Sequence, residues 1–227
     1  MQLVLLLFLI AIVGTMWGRT RFLKVYGQES KNLLSSRITG AELAEAILRK
    51  RGISGVSIAR GGGLLPDSYD PATRRLTLAP QHFGASTYSA LAIASLQAGK
   101  AIQHFEGHRP LFWRNAAVQW AVYLTPGLAF AGLVSFALGL GKSLLPIVIL
   151  GWCLLTFWNF LTVPTEIDAA LRSKRELESM RTFRNIDERV GVERVMGAAS
   201  TANIDPISIL GSWIARCLLP WMREKKP

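Results

Sequence analysis

The residues with the clearest capacity for chemistry lie in one stretch, residues 86–109, which reads STYSALAIASLQAGKAIQHFEGHR. Its first part is apolar enough for a buried helix, and its last part contains two histidines, His104 and His108. Residues four apart on a helix share a face, and imidazole is a common metal ligand. However, Glu106 would point away from that face, and Gly107 is expected to disturb the helix. Polar surface histidines are therefore favoured over a metal site, and His82, in a predicted loop, is interpreted in the same way.

Serine nucleophiles are the second chemical class to consider. Ser86, Ser89 and Ser95 lie in the same stretch, but no Gly-x-Ser-x-Gly or Ser-x-x-Lys motif surrounds them. Ser95 precedes Lys100 by five residues, which is not the spacing that brings two side chains together on a helix. These serines are predicted to be structural.

The composition indicates a membrane protein. The chain has 227 residues, half of them hydrophobic, with a formal net charge of +11. No compact basic and aromatic motif is present, so nucleic acid is not the expected partner. Cys153 lies in an apolar run and Cys217 near the C-terminus, without metal-like spacing, and both are interpreted as small buried hydrophobic residues.

Uncharged runs predict three membrane helices. Residues 2–18 are at the lower limit of length for a span, and they lack the features of a cleaved secretory signal. Residues 116–140 and 144–163 are predicted to form a transmembrane hairpin, with Gly141-Lys142-Ser143 as the tight connection. Residues 207–221 are also apolar, but they are short and contain an arginine, which favours a helix on the membrane surface or packed on the hairpin.

The region between the first span and the hairpin is predicted to be α+β. Thr39 and Glu42 form a capping box that begins a helix, predicted from Gly40 to Arg51. Two short strands are predicted at 56–60 and 75–79. The turn-rich segment between them begins with three glycines and is interpreted as a flexible connection, because no Gly-Lys-Ser/Thr follows.

The helix containing Lys100 is predicted to run from Ser86 to about Glu106, where Gly107 and Pro110 interrupt the chain. Trp113 and Arg114 then suit a membrane interface. After the hairpin, charged helical patterns occupy 169–180 and 186–202.

The order of these segments resembles the YugP-type family of membrane neutral zinc metallopeptidases. The most specific pieces are Ala101-Ile102-Gln103-His104 with Glu106-Gly107, and Val163-Pro164-Thr165-Glu166-Ile167-Asp168-Ala169. The resemblance covers residues 39–202 approximately. In such a family, a helix with His-Glu-x-x-His holds zinc through two histidines, and its glutamate acts on the bound water.

The resemblance also implies that the catalytic residues are replaced. The two zinc histidines fall on Leu96 and Lys100, and the catalytic glutamate falls on Gln97. A further family histidine falls on Ser68, whereas the carboxylate implied near the metal is retained as Glu166, followed by Asp168. Leucine has no lone pair, a protonated lysine offers none, and glutamine cannot accept a proton as a carboxylate can.

These replacements lead to a hypothesis about charge. An ammonium at the former metal position can pair with Glu166, because a buried carboxylate requires a partner. The open alternative is a solvent-facing lysine at the mouth of a cleft. Lys100, Glu166, Asp168 and His104 are the candidate cleft residues, and His104, His108 and Glu166 form a less favoured alternative metal set.

The sequence therefore predicts a mainly helical α+β integral membrane protein with three transmembrane helices and a cytoplasmic zincin-like domain. The predicted parts are an anchor (1–18), a peptidase-like region (19–115), a transmembrane hairpin (116–163) and a helical region with a membrane-associated C-terminal helix (164–227). The chain is expected in the bacterial inner membrane, with its N-terminus outside.

The predicted function is that of a catalytically inactive pseudopeptidase, a binding or scaffold subunit in a membrane protein complex. No zinc or other cofactor is expected, and the predicted partners are the lipid bilayer and other membrane proteins. Two alternatives remain open, namely an active membrane-bound zinc metallopeptidase with an unorthodox metal site and a module that binds anionic lipid through region 19–115.

Overall fold

The structure is a computed structural model that describes residues 2–61 and 67–202. It is mainly helical, with one small sheet, as the sequence predicts. The described elements, in chain order, are α1 (Gln2–Glu29), α2 (Gly40–Lys50), β1 (Ser57–Arg60), β2 (Ser68–Asp70), β3 (Arg75–Leu78), α3 (Pro80–Phe83), α4 (Tyr88–Phe105), α5 (Pro110–Ala137), α6 (Gly141–Leu161), α7 (Val163–Ser179) and α8 (Ile186–Thr201).

The described chain divides into two compact units. The first contains Ala116–Leu161 and residues 2–17, and the second contains Gly18–Asn115 and residues 162–202. Each unit is thus assembled from separate parts of the sequence, because the chain leaves the second unit through α5 and returns to it after α6.

Two helices in the described chain are long and apolar enough to cross a membrane. One candidate span is Pro110–Ala137, and the other, Leu144–Ser179, includes most of α6 and continues through α7. Large apolar side chains on α5 are exposed, including Phe130 and Phe136, as expected for a lipid-facing surface. The third span remains a prediction, and residues 207–221 lie outside the described residues.

The connection between α5 and α6 differs from the prediction. Gly141-Lys142-Ser143 begins α6, and residues 138–140 form the turn instead. Gly139 has a φ of +70°, and the N–H of Leu140 donates to the carbonyl of Ser135. This arrangement ends a helix, because glycine tolerates the left-handed conformation that a C-terminal cap requires.

Helix α2 agrees with its sequence signature. Thr39 caps its N-terminus, with the reciprocal Glu42 contact of a capping box. One face of α2 is buried in the core of the second unit, as predicted. That face consists of Leu43, Ala44, Ile47 and Leu48.

The sheet has three strands rather than the predicted pair. Their order is β1-β3-β2, with β1 parallel and β2 antiparallel to β3. The additional strand β2 comes from the turn-rich segment, and its Tyr69 is buried opposite Leu76. Asp70 accepts hydrogen bonds from Ala72 N and Thr73 Oγ1, which closes the β2–β3 turn. A three-residue strand carries too little alternation to be recognised in sequence.

Helix α4 lies at the centre of the second unit. It packs against α2, α7 and α8 and is buried from Ser89 to Gln103. Helix α7 begins at Val163, earlier than the predicted helical pattern, because Pro164 lies in its first turn, where no backbone N–H donor is needed. The early start places Glu166 and Asp168 on a helix rather than in a loop.

Candidate functional site

The site is built where α4 and α7 approach each other closely. A Cβ atom added to Gly99 would lie 2.2 Å from the carbonyl oxygen of Ala169 and 2.4 Å from Oγ of Ser173. The Ser173 hydroxyl donates to the carbonyl of Ser95 across the same contact. Only glycine permits this approach of the two backbones. Lys100 is the residue after Gly99, so this contact fixes its position relative to the first turn of α7.

Lys100 is part of a three-residue ionic centre with Glu166 and Arg114. Nζ of Lys100 lies 3.0 Å from Oε2 of Glu166, and Nε of Arg114 donates to Oε1 of the same carboxylate. The Lys100 side chain is 3% exposed and that of Glu166 is 12% exposed. The predicted ion pair is therefore present, and the alternative of a solvent-facing lysine is wrong. Three helices, α4, α5 and α7, meet in this ionic centre.

Burial and the attraction between opposite charges shift the pKa values of Lys100 and Glu166 in opposite directions. Burial would raise the pKa of the Glu166 carboxyl, but Arg114 and Lys100 together hold it below its ordinary value. Burial is the main effect that lowers the pKa of Lys100, and repulsion from Arg114 lowers it further. Attraction by Glu166 raises this pKa only in part, so that it lies at about 8. Lys100 is therefore mostly protonated at neutral pH. The centre contains two cations for one carboxylate.

The side chains around Glu166 do not fit a zinc ion. Zinc requires neutral imidazole, thiolate or carboxylate donors, whereas Glu166 is surrounded by an ammonium and a guanidinium. Leu96, one turn before Lys100, is a buried hydrocarbon. Across residues 2–61 and 67–202, no three His, Cys, Asp or Glu side chains are grouped as a metal site would need.

Gln97 lies within this buried part of α4. It is 4% exposed, and its Oε1 atom has no hydrogen-bond partner among the residues that the structure describes. An amide at this position can accept or donate a hydrogen bond but cannot take up a proton near neutral pH. Gln97 therefore offers polarity without acid–base chemistry.

Asp168 belongs to a different set of contacts. Its Oδ2 accepts hydrogen bonds from Nε2 of Gln103 at 2.6 Å and from Nε of Arg172 at 2.6 Å. Gln103 also donates to the carbonyl of Thr165 at 2.9 Å. The two bonds from Gln103 attach the start of α7 to α4. Asp168 thus supports the position of its neighbour Glu166, although it is not bonded to Lys100.

The histidines are not brought together with Glu166. Nδ1 of His104 is 2.8 Å from the hydroxyl of Tyr69, and Nε2 of His108 is 4.0 Å from Oδ2 of Asp168. Helix α4 ends at Phe105, so His108 does not lie on a shared helical face with His104. Burial and the nearby Arg74 also hold the pKa of His104 below its ordinary value. The less favoured metal set of His104, His108 and Glu166 is therefore not assembled.

Two residues that sequence reasoning placed at the surface are buried. Arg114, assigned to a membrane interface, is 9% exposed and belongs to the ionic centre. A signal was available, because Arg114 and Glu166 lie just outside the two ends of the predicted hairpin, and such ends are close together.

His82, assigned to a surface loop, is 5% exposed in α3. Its Nδ1 is 2.8 Å from Oδ1 of Asp67, and its Nε2 is 2.8 Å from the hydroxyl of Tyr26. These partners come from distant parts of the chain, so no local pattern predicts the contact.

The described structure is mainly helical, with one small sheet and two helices that are long and apolar enough to cross a membrane. Residues 4–207 match the family described as "Putative neutral zinc metallopeptidase". The chain is also 32% identical over 196 residues, 84% of each chain, to a protein of Bacillus subtilis (strain 168) named "Putative membrane protease YugP". No solved structure matches. The chain belongs to this zinc metallopeptidase family, which confirms the family expected from the sequence.

Proposed function

We propose that this chain is a catalytically inactive member of its family that acts by binding, as a scaffold subunit of a membrane protein assembly. The observation that carries the proposal is the ionic centre of Lys100, Glu166 and Arg114. A lysine ammonium at 3.0 Å already neutralises the carboxylate that the family resemblance assigns to the metal. A second cation, Arg114, is bonded to the other oxygen of that carboxylate.

The chemistry of the neighbouring residues supports the same proposal. Peptide hydrolysis by a zincin needs a metal to activate water and a carboxylate to accept its proton. In this chain, Leu96 and Gln97 provide neither a ligand nor a base. The protonated Lys100 would also repel a divalent cation, so zinc is expected to be absent from the native protein.

The proposed setting is a bacterial inner membrane, with three spans, the N-terminus outside and both soluble regions in the cytoplasm. The distribution of charge supports this orientation. Lys142, in the hairpin, is the one basic residue outside regions 19–115 and 164–227. Basic residues of cytoplasmic segments outnumber those of exported ones, so both regions are assigned to the same side.

Metal content and proteolysis of the purified full-length protein test the loss of catalysis. We expect less than stoichiometric zinc by elemental analysis and no cleavage of unfolded protein substrates. The triple variant Leu96→His/Gln97→Glu/Lys100→His is the matched control, because it restores the ligand types that the family resemblance implies. Stoichiometric zinc in the wild type, with cleavage lost in Glu166→Gln, would instead establish an unorthodox active metallopeptidase.

Capture of partners tests the scaffold role separately. The full-length protein is purified in a mild detergent from its native membranes, with an unrelated protein of similar topology as the control. We expect membrane proteins to accompany it at reproducible stoichiometry. A protein that is always recovered alone would overturn the scaffold role and leave the loss of catalysis to be judged by the metal analysis.

A further inference from the structure

A cluster of exposed aromatic and arginine side chains lies where the second unit leads into α5. We name it the aromatic–arginine patch, and it consists of Phe105, Phe112, Trp113, Arg74 and Arg109. Phe105 is 40% exposed, Phe112 50% and Trp113 72%. Large aromatic side chains exposed side by side are unusual on a surface that faces only water.

Contacts join most of the patch into one surface. The Arg74 guanidinium lies over the ring of Phe105, 5.4 Å from its centroid. The ring of His104 packs against both Phe105 and Phe112, with centroids 5.6 and 5.8 Å apart. Arg109 accepts a backbone hydrogen bond from Phe112 in the first turn of α5. Arg74, Phe105 and Phe112 therefore form one continuous surface around His104, at the end of α4 and the start of α5.

The patch also has an excess of positive charge. In the part of the chain that the structure describes, neither Arg74 nor Arg109 forms an ion pair. The nearest acidic residues in sequence have other partners, since Glu106 pairs with Arg51 and Arg172. Asp70 accepts hydrogen bonds within the β2–β3 turn. An anionic partner would therefore meet two cations that have no ion-pair partner among the described residues.

The length of α5 indicates where the patch lies. Helix α5 has 28 residues, whereas about 20 residues cross the hydrocarbon core of a bilayer. The predicted span begins only at residue 116, so residues 110–115 are expected in the headgroup layer. With the predicted span in the hydrocarbon core, Trp113 would lie at the interface, where tryptophan is enriched in membrane proteins. Arg109 would lie just outside it, at the depth of the phosphates.

We propose that the aromatic–arginine patch binds the headgroup layer of an anionic phospholipid bilayer. The rings of Phe112 and Trp113 enter the boundary between headgroups and acyl chains, while Arg74 and Arg109 pair with lipid phosphates. The contact would hold the end of α4 against the membrane surface. The lipid contact does not depend on whether the protein is catalytic.

Depth measurement tests the aromatic part of the proposal. The full-length chain, with Cys153→Ser and Cys217→Ser, receives a nitroxide at Phe112→Cys and is reconstituted in phosphatidylglycerol nanodiscs. The ratio of collisions with oxygen to collisions with a nickel chelate should exceed that of a control label at Ile186→Cys by roughly twofold or more. Ile186 is also a strongly exposed apolar residue, at 80%.

Two outcomes of this measurement would overturn the proposal. Equal ratios at residues 112 and 186 would place the patch in water. Protection of residue 112 from both reagents would indicate contact with protein rather than with lipid.

Lipid selectivity tests the charged part. Spin-labelled phosphatidylglycerol and phosphatidylcholine are compared for association with the full-length protein in mixed bilayers. The variant Arg74→Gln/Arg109→Gln should lower the preference for phosphatidylglycerol by about threefold or more. The control Lys31→Gln/Arg49→Gln removes two exposed cations elsewhere and should leave the preference within error. If both variants lost the preference equally, the effect would depend only on net charge, and the proposal that the patch binds lipid phosphates would be wrong.

Discussion

Two groups of ion pairs in the second unit use the same residue types in different surroundings. The ionic centre of Lys100, Glu166 and Arg114 is nearly closed to solvent. A second network, Lys174–Glu193–Arg189–Glu178, connects α7 with α8 at the surface. Charges in the first group lose hydration that only their partners replace, whereas water remains available to the second. Loss of one charge should therefore destabilise the protein more in the buried group than in the exposed group.

Removal of the central carboxylate should show the largest difference between the two groups. Glu166→Ala leaves Lys100 and Arg114 buried without a counter-charge, so we expect a loss of about 3–5 kcal/mol in the free energy of unfolding. Denaturant unfolding of the full-length protein in one detergent measures the loss. A loss as small as that of a surface pair would mean that water enters the centre.

The pH dependence of stability should sharpen the comparison. Because the pKa of Lys100 is lowered to about 8 in the folded state from 10.5, the unfolded state binds more protons between these values. Stability should therefore rise with pH in this window, by up to about 3 kcal/mol relative to Lys100→Met. Thermal unfolding of both proteins from pH 7 to 10.5 measures it, and parallel curves would contradict the prediction.

A single methyl group at the α4–α7 contact should disturb the buried centre without removing any charge. Gly99→Ala places a Cβ within 2.2 Å of the Ala169 carbonyl, so the helices must separate. We expect a loss of about 1–3 kcal/mol, measured by thermal unfolding. Gly197→Ala is the matched control, because nothing lies within 4 Å of the added Cβ. Equal effects would show that helix separation is not the cause.

The exposed network should show the smallest effect. Glu193→Gln removes the charged partner of Lys174 and one of the two partners of Arg189. We expect a loss below about 1 kcal/mol in the free energy of unfolding that disappears at high salt. Unfolding at low and high ionic strength measures it. A large loss of stability that salt does not reduce would mean that the exposed network behaves like the buried ionic centre.

Much of the fold follows from local sequence. The capping box of Thr39 and Glu42, the buried face of α2 and the approximate bounds of α4 and α8 depend on neighbours within a few residues. Strand β2 and the α5–α6 turn differ from the sequence prediction. Tyr69 is buried by strand pairing and by contact with α4, which no three-residue pattern encodes.

The candidate site was predictable only in part. The pairing of Lys100 with Glu166 follows from the substitution pattern and from the requirement that a buried carboxylate have a partner. The pairing of Arg114 with Glu166 had a signal in their positions at the two ends of the predicted hairpin. The Asp67–His82–Tyr26 contacts had none, because their members come from separate elements of the chain.

The sequence by itself determined the family, the apolar hairpin and the identity of the side chains at the positions of the zinc ligands. These properties depend on residue type and order, which physical chemistry can interpret without coordinates. The tertiary structure decided that Lys100 and Arg114 share one buried carboxylate. It did so because the close α4–α7 contact at Gly99 and the return of the chain after α6 bring together charges that are far apart in sequence.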